Sequence, residues 1–156
     1  MEKLRAIKDH ILNFLKKKWE RLKIFIGGAP QGLTREQFAR LSNRVRERAG
    51  NFGSDIRVHG SRAAGAARAA SDIDIAIRVS LERFDEIIRS RFGTPNPGSA
   101  KAQTMRHAIR TGKIQAGEAG LRGLRRELER ELGMNVDISV IQIGGAFDRG
   151  PWVALQ

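Results

Sequence analysis

The sequence predicts an α+β domain: a small mixed β-sheet backed by helices on one face, preceded by an N-terminal amphipathic helix. Helical segments alternate with three strand candidates along the 156 residues. The first two strand candidates are joined by a very short segment of small residues. Three strands are too few for a doubly wound sheet. A short sheet with helices on one face and an open second face is the arrangement that remains.

Each element has a local cause. In residues 2–26 the apolar residues Leu4, Ile7, Ile11, Leu15, Trp19, Leu22 and Ile26 recur at steps of three and four, with lysines on the other face. Such a helix either packs on the domain, joins it to a longer polypeptide, or lies on a membrane surface. The stretch Gly27–Gly32, GGAPQG, breaks it, and residues 1–28 are expected to precede a compact domain over residues 29–156. Thr34 with Gln37 makes a capping box, and Leu33 with Phe38 a hydrophobic staple. Phe38, Leu41, Val45 and Ala49 form the apolar stripe of the helix that follows, which Gly50 ends. Asp55–Gly60 is a short strand with Ile56 and Val58 on one face. In Asp72–Val79 the residues Ile73, Ile75, Ile77 and Val79 point one way, and Asp72, Asp74 and Ala76 the other. Ser80 caps a helix to about Phe92, GTPNPGSA is a loop, and a helix follows from about Lys101 to Thr111. Glu118–Leu132 reads as a helix with Leu121, Leu124, Leu128 and Leu132 as its seam, and Asn135–Ile143 as the third strand. The last residues, GGAFDRGPWVALQ, carry no clear element.

A chain this long buries roughly 68–70% of its unfolded surface and folds without disulfides. It has no cysteine, which fits a reducing compartment. No run of apolar residues is long enough to span a bilayer, and Lys16, Lys17 and Lys18 interrupt any signal-peptide core. The net charge is +12, which calls for a polyanionic partner: nucleic acid, an anionic membrane surface or an acidic protein. Residues 1–50 carry 13 basic against 5 acidic side chains, a net of +8, and so hold most of it.

Chemistry concentrates on one strand face. Asp72 and Asp74 are two apart, so both project opposite the isoleucines. Asp137, between Val136 and Ile138, is the sole acid of an otherwise uncharged strand and faces outward as well. Close like charges need something positive between them. Mg²⁺ is the natural partner, a hard cation held by one or two carboxylates and substrate phosphates. Three such aspartates suit two ions about 3.5–4 Å apart. Upstream, HGSRAAG follows a strand and opens a helical turn whose free N–H groups suit an anion. Gly60 allows close approach, Ser61 adds a donor, and Arg62 and Arg68 are candidate phosphate contacts. Lys113 in TGKIQ is a further one. It is no Walker loop, since G-x-x-x-x-G-K-[ST] is missing. The bland alternatives are a solvated strand edge for the aspartates, a plain turn for Gly60-Ser61, an exposed loop lysine for Lys113, and surface positions for His59 and His107. For Arg122, Arg125, Arg126 and Arg130 they are a salt-bridged helix face, against an RNA-contacting stripe.

Together, HGSRAAGAARAASDIDIAI and NVDISVI resemble the signature of the DNA polymerase β-like nucleotidyltransferase superfamily. That signature is a strand-end Gly-Ser, a spacer like the ten residues between Ser61 and Asp72, an Asp-hydrophobic-Asp, and a third acid on a later strand. The strand and helix order fits over residues 33–143. The resemblance implies a polymerase β-like core in which Gly60 and Ser61 hold a triphosphate. Asp72 and Asp74 would bind both of two Mg²⁺ ions, and Asp137 the one that activates the incoming hydroxyl. Arg62, Arg68, Ser71 and Lys113 complete the expected substrate-binding set. The implied reaction moves a nucleoside monophosphate from an NTP to an acceptor and releases pyrophosphate. The motif order further resembles the nucleotidyltransferase domains at the C-termini of bacterial polymorphic and contact-dependent toxins. This implies an RNA acceptor, a tRNA end, in the cytoplasm of a target cell, delivery by a larger secreted protein, and an acidic immunity protein as partner. The related antitoxin-type minimal enzymes share the Gly-Ser-Arg start and point to a protein hydroxyl instead; those are typically shorter and less basic. A non-catalytic RNA-binding module is the third possibility, against which three acids facing a polyanion weigh. Tyrosine is absent, so base stacking would fall to Phe, Trp, His or Arg.

Overall fold

The computed structural model describes residues 2–156, with the side chains of residues 19–27 outside the description. Chain order is α1 (Glu2–Gly27), α2 (Arg35–Ala49), β1 (Asp55–His59), α3 (Ser61–Ala64), β2 (Ile73–Val79), α4 (Leu81–Phe92), α5 (Ala100–Thr111), β3 (Lys113–Gln115), α6 (Arg122–Leu132), β4 (Val136–Gln142) and β5 (Val153–Ala154). Among the described residues the five strands form one mixed sheet in the order β3-β4-β2-β1-β5. The central pair β2–β4 is parallel and the other pairs are antiparallel. This is the expected α+β architecture.

The alternation read from the sequence decides which face is core. Ile73, Ile75 and Ile77 are fully buried, as are Val58, Ile114, Ile138 and Val140. Each such aliphatic side chain contributes about 1.5–3 kcal/mol on leaving water. Leu41 and Val45 of α2, Phe84 and Ile88 of α4, and Leu124 and Leu128 of α6 belong to the same cluster. The capping box at Thr34 is present: Gln37 N–H donates to Thr34 Oγ1 at 3.1 Å, and Thr34 N–H to Gln37 Oε1 at 2.9 Å. Leu33 packs against the core as the staple requires. Ser80 Oγ likewise accepts from the Arg83 N–H.

Three features differ from expectation. First, β3 and β5 are strands of three and two residues, too short for a period-two pattern to register. Second, α6 starts at Arg122 rather than Glu118. The Glu118 carboxylate accepts from the Gln115 N–H at 2.8 Å and closes a turn, and Gly120, at φ +75°, ends that turn in a conformation unsuited to a helix. Third, the second face of the sheet is not wholly open. The C-terminal segment folds over its far half, so Ala76, which shares a face with Asp74, is fully buried. Asp148 accepts from Arg78 Nε and a terminal nitrogen at 2.7 and 2.8 Å, and Trp152 lies over the Arg57 and Arg78 guanidiniums.

The apolar stripe of α1 is not packed on the domain over its described side chains. Leu4, Ile7, Ile11 and Leu15 are all exposed. The expected positions Trp19, Leu22 and Ile26 lie outside the described side chains. No described helix is long and apolar enough to cross a membrane.

Candidate active site

Register gathers the acids. Asp74 on β2 is the direct partner of Asp137 on the parallel strand β4, and of His59 on the antiparallel strand β1. Neighbouring strands lie about 4.8 Å apart, so these three side chains form one row on the face opposite the core. Asp72 stands just before β2, exposed, two residues from Asp74. The carboxyl of Asp74 is pushed up to about 6, first by burial and then by the charges of Asp137 and Asp72, while Lys113 pulls it down. The imidazole of His59 is held below its ordinary value, chiefly by burial and by Lys113.

Lys113 opens the edge strand β3. Its Nζ lies 3.6 Å from Asp137 Oδ2 and 4.8 Å from the centre of the Phe147 ring. It thus faces the carboxylate row from the far side of β4. His59 stacks at 5.3 Å against Trp152. Phe147 and Trp152 come from the tail to which the sequence assigned no element. A lone aromatic on either side of Gly-rich sequence carries no periodic signal, so only the folded chain brings them here.

The Gly-Ser turn sits against the acids. Gly60 has φ +79° and ψ −156°, a conformation essentially confined to glycine. A Cβ built there would collide with the Asp74 carboxylate. Ser61 starts α3, and the Gly60 carbonyl accepts from Ala64 N–H at 3.0 Å.

Arg62 does not share this location. It is 3% exposed, and its guanidinium donates to the carbonyls of Gln31 at 2.9 Å and of Ser71 at 2.7 and 3.0 Å, with longer contacts to Arg68 and Ala69. It clasps the loop before Asp72 to the segment before α2, and has no donors directed at a phosphate. The reason is sequence-distant: the carbonyls it serves belong to loops with no ladder partners of their own. Ser71 is similarly employed, its Oγ accepting from the Arg68 N–H at 2.9 Å. Ser71 lines a separate cavity of about 270 Å³ with Met134 and Asn135. The Arg68 side chain is exposed on that loop. The structure therefore brings together Gly60, Ser61, Asp74, Asp137 and Lys113, keeps Asp72 at their edge, and sets Arg68 and Ser71 in a supporting loop held by Arg62 of α3.

Two cavities flank the row. One, about 560 Å³, is bounded by His59, Gly60 and Ser61 and by Phe147, Arg149 and Pro151 of the tail. The other, about 570 Å³, begins at Asp137 and runs between the ends of α4, α5 and α6.

The donor set suits a hard cation, being carboxylate oxygens whose crowding already raises one of them to about 6. Among the described residues no group of three or more His, Cys, Asp or Glu side chains is gathered closely enough to hold a metal ion by itself. Magnesium is usually held by one or two carboxylates with substrate phosphates and water supplying the rest. Asp72 and Asp74, with Asp137 beside them, fit that mode of binding.

The fold is thus an α+β domain whose mixed sheet has a parallel central pair, with acids in register on it and a glycine turn against them. Residues 39–150 match the family model of the nucleotidyltransferase domain, and the chain belongs to that family, within the polymerase β-like superfamily. The family implies nucleotidyl transfer from an NTP and typically uses a divalent metal. No curated protein and no solved structure matches the chain.

Proposed function

We propose that residues 29–156 form a transferase domain that moves a nucleoside monophosphate from an NTP to an RNA acceptor, a tRNA end, with two Mg²⁺ ions. The observation that carries this reading is the register of Asp74 with Asp137 on adjacent parallel strands, beside Gly60. Asp72, Asp74 and Asp137 are the residues that would hold the metal. Bound there, it would neutralise phosphate charge and lower the pKa of the attacking hydroxyl. Gly60 and Ser61 present backbone and hydroxyl to the triphosphate, in the cavity shared with Arg149. Lys113 adds positive charge at Asp137. The acceptor oxygen bonds to the α-phosphorus, the bond from that phosphorus to the bridging oxygen breaks, and pyrophosphate leaves. The acceptor proton passes to the Asp137 carboxylate, which stands 39% exposed at the rim. Positioning and charge neutralisation supply the acceleration.

The same proposal gives the domain a toxin's role in the cytoplasm of a target cell, with residues 1–28 as the join to a larger secreted protein. The basic charge supports an RNA acceptor and an acidic immunity protein as partner, since complementary charge speeds association. The test is a panel of α-labelled NTPs offered with RNA and with protein acceptors side by side. Label on RNA, lost in Asp74→Asn and in Asp137→Asn, is the expected result. Label on protein would reassign the acceptor, and transfer surviving both substitutions would remove the metal site.

A further inference from the structure

The second cavity is unusually cationic. Arg91 closes α4, Lys101 opens α5, and Arg122, Arg125 and Arg126 come from the first turns of α6, with Asp137 at the inner end. Arg122 and Arg126 are four apart and share one helix face. The sequence places glutamates among these arginines, but the fold spends two of them elsewhere. Glu127 pairs with Arg44 and Arg48 of α2 at 3.3 and 3.2 Å, and Glu131 with Arg44 at 2.8 Å. Within α6, Arg125 Nε lies 3.5 Å from Glu129 Oε1 without a hydrogen bond, and among the described residues this buried nitrogen has no other partner. Among the described residues Lys101, Arg122 and Arg126 make no ion pair. The other acid of the wall, Glu118, is engaged with the Gln115 N–H. Arg91 is fixed by donating from Nε to the Glu118 carbonyl at 2.8 Å, and its guanidinium packs where a side chain at Gly120 would stand.

Five cations against the two carboxylates of Glu118 and Asp137 leave this wall net positive, an excess that a bound anion stabilises. We propose that this cleft seats the phosphodiester backbone of the RNA acceptor and delivers its terminal hydroxyl toward Asp137. The inference rests on the nucleotidyl-transfer reading and adds the acceptor's location and mode of recognition to it. At about 570 Å³ the cleft holds a nucleotide-sized group. Its only aromatic wall residue, Phe92, is buried, so no ring is offered for base stacking. Recognition here is therefore of phosphates, and independent of base sequence. The donor NTP and the acceptor then reach the carboxylates from opposite sides.

The test uses the full chain, a fluorescein-labelled single-stranded RNA and fluorescence anisotropy across a salt series. The Arg122→Gln/Arg126→Gln double variant should weaken RNA binding about tenfold and lower the log–log salt slope by about 1.4, near 0.7 per lost phosphate contact. Arg130→Gln, on the α2 side of the helix, should change both far less. Binding of Mg²⁺–NTP, read as a thermal shift, should survive the double variant. Unchanged RNA affinity and slope in the double variant would overturn the cleft assignment, even with transfer to RNA intact. Loss of labelling of a protein acceptor alone would overturn it in favour of an acidic protein. Loss of RNA binding in the double variant, with a wild type that transfers nothing, would uphold the cleft and sink the transferase reading instead.

Discussion

Gly60 and Asp74 are in contact of a kind that admits no side chain: the space a Cβ would need at Gly60 is filled by the Asp74 carboxylate. Gly60→Ala would therefore strain the backbone at φ +79° and push Asp74 out of the row it shares with Asp137. The expected outcome is a loss of nucleotidyl transfer by about 100-fold or more, the scale on which a small misplacement acts. Steady-state kinetics with labelled NTP would show it. Activity within a factor of a few of wild type would mean that the turn does not position the acid.

The raised pKa of Asp74 has a sign that can be measured. Its carboxyl titrates at about 6 in the folded protein against an ordinary 3.8. The folded state binds this proton more tightly than the unfolded state, so stability falls as the pH rises between those values, and the loss is complete above about 6. Asp74→Asn should raise the melting temperature of the metal-free protein most at pH 8, by clearly less at pH 5, where only about half of the loss has accrued, and hardly at all below the unfolded value of 3.8. Mg²⁺ should bring the wild-type carboxyl back down, visible in the carboxyl carbon shift by NMR. Equal melting shifts at both pH values would contradict the crowding of these acids.

Lys113 works against that shift, its charge favouring the ionised Asp74. Lys113→Met should move the Asp74 titration further up and shift the acid limb of the activity profile in the same direction. An unchanged pH profile, with KM for the NTP alone affected, would make Lys113 a phosphate ligand and not a partner of the carboxylates.

Arg62 separates a structural role from a phosphate contact. Arg62→Met leaves the carbonyls of Gln31 and Ser71 without this buried donor and should cost roughly 2–4 kcal/mol in urea denaturation. A variant of full stability with a raised KM for the NTP would restore the phosphate role.

The tail is tied by Asp148, whose pKa is held low mainly by its hydrogen bond to Arg78 and further by the Gly144 N–H. A depressed carboxyl contributes stability above its unfolded value, and this is lost as the pH falls through the folded one. In a Trp19→Phe background, so that Trp152 reports alone, its fluorescence should change below about pH 4, and in Asp148→Asn already at pH 7. An emission that follows only global unfolding would show that the tail does not detach separately.

Much of this molecule is local. Alternating isoleucines in Asp72–Val79 set the strand, its buried face and hence the outward direction of Asp74, because side chains on a pleated strand alternate whatever surrounds them. The same holds for Asp137 between Val136 and Ile138, and the caps at Thr34 and Ser80 are readable because their partners lie three residues away. The Gly60-Ser61 pair, the ten-residue spacing from Ser61 to Asp72, the Asp72-Ile73-Asp74 triplet and the later Asp137 together carry the superfamily resemblance, each within reach of a short window. What no window of sequence contained is the pairing of distant segments. The parallel register of β2 with β4, the burial of Arg62 under carbonyls from two loops, the seating of Phe147 and Trp152 over the sheet, and the diversion of Glu127 and Glu131 to α2 all depend on long-range packing. Periodicity assigns a residue to a face; only the folded chain decides which other residue it meets there, and so which charges remain unpaired.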